Sequence, residues 1–274
     1  MIPERLELAE PSQAVLRAAR ALLRRKERKE AGKFLVEGPQ AVREALRMPG
    51  VVEAVFFRWA AVHDHVDLLA AARGAGVAYY AVSEQNLATI SDTVSPQGVV
   101  AVCATVDVPL AEAVADGVQL IVICAQIRDP GNAGTVIRCA DAFGADAVIL
   151  SSDSVEVYNP KTVRASVGSI FHLPLVTGVD LAKAIAACRQ AGLQVFATDG
   201  EAGTELTDLN GRLAEPTAWV MGNESWGLPV EHLQLADTTV AVPIYGAAES
   251  LNLATAAAVC LYASASAQRT AADG

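Results

Sequence analysis

Residues 120–151 read LIVICAQIRDPGNAGTVIRCADAFGADAVILS, and this stretch decides the fold. LIVICA is an unbroken, β-branched apolar run too short for an ordinary helix. Pro130 and Gly131 then break the extended chain, residues from about 133 to 143 follow helical spacing, and AVILSS returns to a strand pattern. A strand, a helix and a second strand within about 30 residues form a βαβ unit, which joins its strands in parallel. The alternation continues through a helix around 160–169, the strand LPLVTG, a helix at 179–191, the strands QVFATD, TAWVMG and TTVAVPI, and a final helix at 251–267. Such a series predicts an α/β domain whose parallel sheet is covered on both faces.

Upstream, KFLVEG, VVEAVFF, GVAYYAV and GVVAVCATV are strand-like, separated by helical stretches at 39–47 and 63–74 and by SEQNLATI, which makes a second, smaller α/β domain. The segment VDVPLAEAVADG suits a connector. The expected organisation is a basic helical segment at 1–33, a small domain at 34–106, a linker at 107–117, the main domain at 118–267 and a tail at 268–274.

With 274 residues, 52% of them hydrophobic and 19% charged, the chain has ample material for a core and is not of the disordered class. No stretch reaches the roughly 18 to 20 apolar residues of a membrane helix. The opening MIPERLELAEPSQ carries acids where a signal peptide needs a basic and then an apolar segment, so a cytoplasmic protein without membrane contact is expected. Cys103, Cys124, Cys139, Cys188 and Cys260 are odd in number and widely spaced, which fits reduced core residues rather than a disulfide framework or a zinc site. The net charge of −10 hides a block at 17–33 with eight basic residues against Glu27 and Glu30, a local +6 that leaves −16 elsewhere. That block either meets phosphates or is a solvated, charge-laced helix.

In parallel sheets ligands sit beyond the carboxyl ends of the strands, so the loops there hold the candidate chemistry. Four stand out: Asp129–Gly134 (DPGNAG), which opens the helix holding Arg138; Thr198–Glu201; Met221–Gly227 (MGNESWG); and Pro243–Leu253 (PIYGAAESLNL). A dinucleotide-binding reading fails, because positions 131–136 read GNAGTV instead of the G-x-G-x-x-G fingerprint. The four histidines, His63, His65, His172 and His232, are scattered, and no metal site is expected.

In order and spacing, DPGNAGTVIRCADAFGADAVIL, MGNESWGLP and VPIYGAAESLNLATAAAV resemble the three signature motifs of the SpoU/TrmH family of RNA ribose 2′-O-methyltransferases, across residues 118–267. The region from KFLVEGPQAV to SPQGVVAV is similar to the small RNA-binding module, like certain ribosomal proteins, that precedes the catalytic domain in rRNA-directed members. The resemblance implies a trefoil knot in the parallel-sheet domain, a rarity among folds. It also implies a homodimer whose active sites draw on both subunits, S-adenosyl-L-methionine as cofactor, and methyl transfer to a ribose 2′-hydroxyl. Asn132, Arg138, Glu224, Ser250 and Asn252 take the catalytic positions of the motifs. A guanidinium, with a pKa above ~12, is a poor base, so Arg138 reads better as a clamp on developing negative charge, with action as the base that deprotonates the hydroxyl as the alternative. Asn132 would orient Arg138 or the ribose, with a helix N-cap as its alternative role.

Uncharged adenosine is best recognised by backbone groups and apolar walls. The resemblance places this in Thr198, Asp199, Gly200, Met221, Gly222, Asn223, Gly227, Ile244, Ser250, Leu251 and Leu253. Candidates for RNA phosphate are Arg24, Arg25, Lys26 and Arg28 in the basic block, with Lys161 and Arg164 in NPKTVRASVGS. Large-subunit (23S) rRNA is favoured as substrate over tRNA. The alternative class is a non-catalytic RNA-binding or ribosome-assembly protein on the same scaffold.

Overall fold

The computed structural model describes residues 8–272; residues 1–7 and 273–274, which hold the start of the expected basic segment and the end of the expected tail, lie outside the described residues. In chain order the elements are α1 (Gln13–Ala21), α2 (Arg25–Ala31), β1 (Lys33–Glu37), α3 (Pro39–Arg47), β2 (Val52–Arg58), α4 (Val66–Gly74), β3 (Ala78–Val82), α5 (Glu84–Thr89), β4 (Val99–Ala104), α6 (Leu110–Ala113), β5 (Leu120–Cys124), α7 (Pro130–Phe143), β6 (Ala147–Ser151), α8 (Pro160–Ser166), β7 (Leu175–Val179), α9 (Leu181–Gln190), β8 (Gln194–Thr198), β9 (Thr217–Met221), α10 (Val230–Leu233), β10 (Thr238–Val240) and α11 (Leu253–Ala272). They divide into two compact units, one formed by the residues up to Val106 with Tyr158–Phe171, the other by Asp107–Val157 with the residues from His172 onward.

The first unit holds a mixed sheet in the order β1-β4-β2-β3, with β4 antiparallel to both neighbours and β2 parallel to β3. Two expected boundaries shift here. Leu16, Ala19 and Leu22 recur on one face of α1 and its end, and they bury against Leu35, Phe56, Leu87 and Val100, so α1 is part of this core rather than a detached basic segment. The segment 158–171, expected in the main domain, also belongs here: Tyr158 and Phe171 pack their rings on Phe34 at 4.5 and 6.1 Å. Aromatic contact and the burial of Phe34 outweigh sequence proximity.

The second unit is built on six strands, all parallel, in the order β10-β8-β9-β5-β6-β7. On one face Ile121, Ile123, Ile149, Val195 and Val220 pack against Leu181, Ala184, Ile185 and Cys188 of α9. α7 and α11 pack against each other and against the sheet, and the buried Trp219 donates its indole N–H to Ser264 Oγ at 2.9 Å. The small residues of α11 that face inward, Ala254, Ala257, Cys260, Ser264 and Ala265, allow this close approach. The expected linker is not slack. Val108 donates to the Leu175 carbonyl at 2.8 Å, and Ala113 is buried in the same core. Nor is 268–272 a loose tail, because α11 continues through it and Gln268 Nε2 donates to the carbonyls of Gln119 and Glu215 at 2.9 and 3.0 Å.

All five cysteines are free. Burial pushes the thiols of Cys124, Cys188 and Cys260 up to about 12, which keeps them protonated and inert. No helix among the described residues is long and apolar enough to cross a membrane. From β5 the chain moves to β6 and β7, then returns to β8 and β9 on the opposite side, so the loops after β5 and β9 diverge at a topological switch point, where open α/β sheets place their ligands.

Candidate active site

The loop after β5 ends in a capped helix. Asp129 accepts from the Asn132 backbone N–H at 2.9 Å, and Pro130 occupies the first helical position, where its missing N–H costs nothing. Asn132 is therefore not the N-cap of α7, and its side-chain amide is available for other partners. The loop after β9 is closed by a reciprocal backbone pair, Asn223 N–H to the Gly227 carbonyl at 2.8 Å and Gly227 N–H to the Asn223 carbonyl at 3.0 Å, with Gly227 left-handed at φ 67°. The closure is tight: a Cβ on Gly222 would stand 2.6 Å from the Gly227 carbonyl carbon. Asn223 locks the loop further by donating to the Gln126 carbonyl at 2.8 Å and accepting from the Ser225 N–H at 2.8 Å.

From that loop Glu224 crosses to the other. Its Oε2 accepts from the Arg128 N–H at 3.2 Å, and its Oε1 accepts from the Asp129 N–H at 3.1 Å and from Asn132 Nδ2 at 3.1 Å. Asn132 Oδ1 in turn accepts from Asn252 Nδ2 at 3.0 Å. Asn252 Oδ1 caps the start of α11 by accepting from Ala254 and Thr255 N–H at 2.9 and 3.3 Å. Glu224, Asn132 and Asn252 thus form one chain of hydrogen bonds across three loops. With one amide hydrogen given to Glu224 and one lone pair given to Asn252, the orientation of the Asn132 amide is fixed. Burial pushes the Glu224 carboxyl up, but the bonds from the Asn132 side chain and from the backbone N–H groups of Glu224, Arg128 and Asp129 more than offset it. The net pKa lies below the ordinary carboxylate value, so Glu224 is an anion that orders its neighbours and is ill suited to be a base near neutral pH.

Beside this chain opens a cavity of about 560 Å³, within the usual range for small-molecule sites. Thr198, Asp199, Gly200, Met221, Gly222, Asn223, Gly227, Ile244, Ser250, Leu251 and Leu253 all line it, brought together from the ends of β8, β9 and β10 and the start of α11. Glu249, from the candidate loop 243–253, also lines it, as does Glu205, which lies outside the candidate loops and arrives through an isolated bridge to Ala241 that no sequence pattern marks. The lining holds Asp199, Glu205, Glu224 and Glu249 and neither lysine nor arginine.

Arg138 is not brought to this cluster. It is exposed on α7, six residues beyond Asn132, which at ~100° and ~1.5 Å per residue puts it about 120° round the helix and 9 Å along it. Two of the expected RNA-contacting residues are also committed elsewhere. Arg28 is 3% exposed, and its guanidinium donates to the carbonyls of Leu22 and Leu23 at 2.8 and 2.9 Å, where it satisfies the carbonyl end of α1. Arg164 pairs with Asp92 at 2.9 Å and with Glu37 at 3.6 Å. Arg24, Arg25, Lys26 and Lys161 remain on the surface of the first unit, with Arg24 set against Glu27 and Lys26 against Glu30.

Residues 119–262, which contain the whole hydrogen-bonded chain and the cavity, match the SpoU rRNA Methylase family. The protein belongs to that family. Residues 14–101 match the MRM3-like substrate binding domain. Among SpoU relatives, the chain is 34% identical over 238 residues to the 23S rRNA (guanosine(2553)-2′-O)-methyltransferase RlmP of Bacillus subtilis, covering 87% of this chain and 90% of that protein. It is 34% identical over 202 residues to the 23S rRNA (guanosine-2′-O-)-methyltransferase RlmB of Ralstonia nicotianae, covering 72% and 80%. Among solved SpoU structures, that of the methyltransferase AviRb from Streptomyces viridochromogenes in complex with AdoMet superposes with a TM-score of 0.81 at 31% identity, over 96% of this chain and 100% of that one.

Proposed function

We propose that this protein transfers a methyl group from S-adenosylmethionine to a ribose 2′-hydroxyl of 23S rRNA. The observation that carries the reading is the Glu224–Asn132–Asn252 chain, which ties the three motif loops together at the mouth of a cavity suited to the cofactor. Fit is given by the lining itself: Met221, Ile244, Leu251 and Leu253 offer apolar walls, Gly222 and Gly227 bring backbone close, and four carboxylates favour a cationic ligand. Bound there, S-adenosylmethionine supplies an electrophilic methyl group on a positively charged sulfur. Asn132, held at both ends of its amide, retains one N–H and one lone pair with which to orient a ribose hydroxyl. Glu224 keeps that amide from flipping and remains ionised while doing so.

Arg138 clamps negative charge developing on the ribose oxygen and its phosphate. Its position away from the cavity of its own chain accords with a homodimer in which each Arg138 serves the partner's cavity. Val259 and Tyr262, exposed on α11, and the edge-on contact of Tyr262 with Phe143 at 5.6 Å give α7 and α11 an apolar outer surface for such pairing. The reading includes the trefoil knot, formed where the 243–252 segment returns from β10 to α11. The first unit, with its surface Arg24, Arg25, Lys26 and Lys161, would hold the rRNA.

The test is methyl transfer by the purified protein from labelled S-adenosylmethionine to unmodified 23S rRNA transcript, with tRNA alongside. Label in 23S rRNA at a ribose resistant to alkaline cleavage, lost in Arg138→Ala with cofactor binding intact, is expected. Cofactor binding without transfer to RNA would favour the non-catalytic reading, and label confined to tRNA would move the substrate.

A further inference from the structure

Trp226 is 58% exposed, whereas Trp219 in the strand leading to the same loop is wholly buried. Among the described residues its indole has neither a hydrogen-bond nor a ring partner. An indole left in water gives up the large apolar burial that usually fixes tryptophan in place. The loop that presents it is nevertheless rigid, closed by the Asn223–Gly227 pair and by the Ser225 N–H to Asn223 Oδ1 bond of 2.8 Å. Trp226 lies two residues from Glu224, which orients Asn132, and its neighbours Ser225 and Gly227 line the cavity that Trp226 itself does not. On the third loop, which lines the same cavity, Ile244 and Tyr245 are 37% and 88% exposed.

The cavity lining, with four carboxylates and no basic residue, offers a nucleotide no phosphate contact of its own and leaves that contact to Arg138. Where the target ribose lies in a single-stranded loop its base is unstacked, and a stacking surface beside the site would hold it. An exposed indole on a loop held by its own hydrogen bonds is such a surface, its backbone placed before RNA arrives and its ring free to turn onto a base. We propose that Trp226 is the platform on which the base of the target nucleotide stacks while its ribose lies beside Asn132. This rests on the reaction proposed above and adds a positioning group for its RNA substrate.

The experiment compares wild type, Trp226→Ala and Trp226→Phe on 23S rRNA transcript, with cofactor affinity by calorimetry and oligomeric state by sedimentation. Trp226→Ala should lose about five- to a hundredfold in kcat/KM, the range that one stacked base supplies, and Trp226→Phe should restore most of it. Cofactor affinity and sedimentation should not change. The transcript should also quench tryptophan emission more in wild type than in Trp226→Phe, whose remaining Trp59, 44% exposed, and buried Trp219 report any quenching from RNA held on the first unit. Full activity in Trp226→Ala would overturn the proposal. So would a parallel loss of cofactor affinity, which would make Trp226 a pocket wall, or a change to monomers, which would make it a subunit contact. Quenching that depends on Trp226 without any methyl transfer would keep the stacking site and overturn the reaction, and transfer independent of Trp226 would do the reverse.

Discussion

Replacing Glu224 by glutamine changes almost nothing in shape and nearly everything in hydrogen bonding. Besides its own backbone N–H, the carboxylate faces three donors from other residues on two oxygens: the Arg128 N–H on one, and the Asp129 N–H with Asn132 Nδ2 on the other. A glutamine can present its single oxygen to only one side. With the oxygen kept toward Asp129 and Asn132, its NH₂ meets the Arg128 N–H, so one bond disappears and two lose their charge. Bonds to charged groups contribute about 1.5–3 kcal/mol and neutral ones about 0.5–1.5. Because Glu224 is exposed and water competes for these donors, the discounted loss is about 2 kcal/mol, or roughly thirtyfold in rate if it falls on the positioning of Asn132. The assay is single-turnover methyl transfer to 23S rRNA transcript at saturating cofactor. The folded pKa of Glu224 lies below its ordinary 4.5, so its stabilising contribution is present above that value and is lost as pH falls through the lower, folded pKa. Glu224→Gln should abolish that acid-limb dependence of stability and leave the neutral pH–rate profile unchanged in shape. A single-turnover rate within twofold of wild type would refute the view that Glu224 acts by fixing Asn132.

Asn252→Asp keeps the oxygen that caps α11 but removes the donor to Asn132, so it should hold its melting temperature while losing activity, whereas Asn252→Ala should lose both, with about 1 kcal/mol of cap stability. Gly222→Ala forces a Cβ to within 2.6 Å of backbone at Gly227, and cofactor affinity measured by calorimetry should fall with a destabilisation of about 1–3 kcal/mol. Tyr262→Arg, on the exposed side of α11, should give folded monomers in sedimentation, whereas Ala257→Arg should unfold the chain because Ala257 is fully buried within it. Exchanging the exposed Arg17, Arg20, Arg24, Arg25, Lys26 and Lys29 for glutamine should lower the salt slope of RNA binding by about 0.7–0.9 for each phosphate no longer neutralised, and an unchanged slope would mark the block as a solvated helix.

The parallel sheet was legible because its strands are continuous apolar runs, and the loops of the site because glycine, proline and asparagine cluster where strands end. The cofactor candidates converge on one cavity because β8, β9 and β10 end on the same side of one sheet. What failed to show in sequence depended on tertiary partners. Arg28 looks like its basic neighbours until the turn after α1 presents the carbonyls of Leu22 and Leu23 to it. Arg164 reads as a phosphate ligand until Asp92 and Glu37, far away in sequence, meet it. The exchange of residues 158–171 to the first unit turns on Phe34, whose ring contacts have no local signal. Arg138 shares a motif with Asn132, and helical geometry alone turns the two apart.

The most direct test of the central claim is a transcriptome-wide map of ribose 2′-O-methylation in RNA from cells with the gene, without it, and with the gene encoding Arg138→Ala. The account predicts one 23S rRNA nucleotide whose methylation disappears on deletion, returns with the wild-type chain and stays absent with Arg138→Ala. Identical maps from all three strains would contradict it.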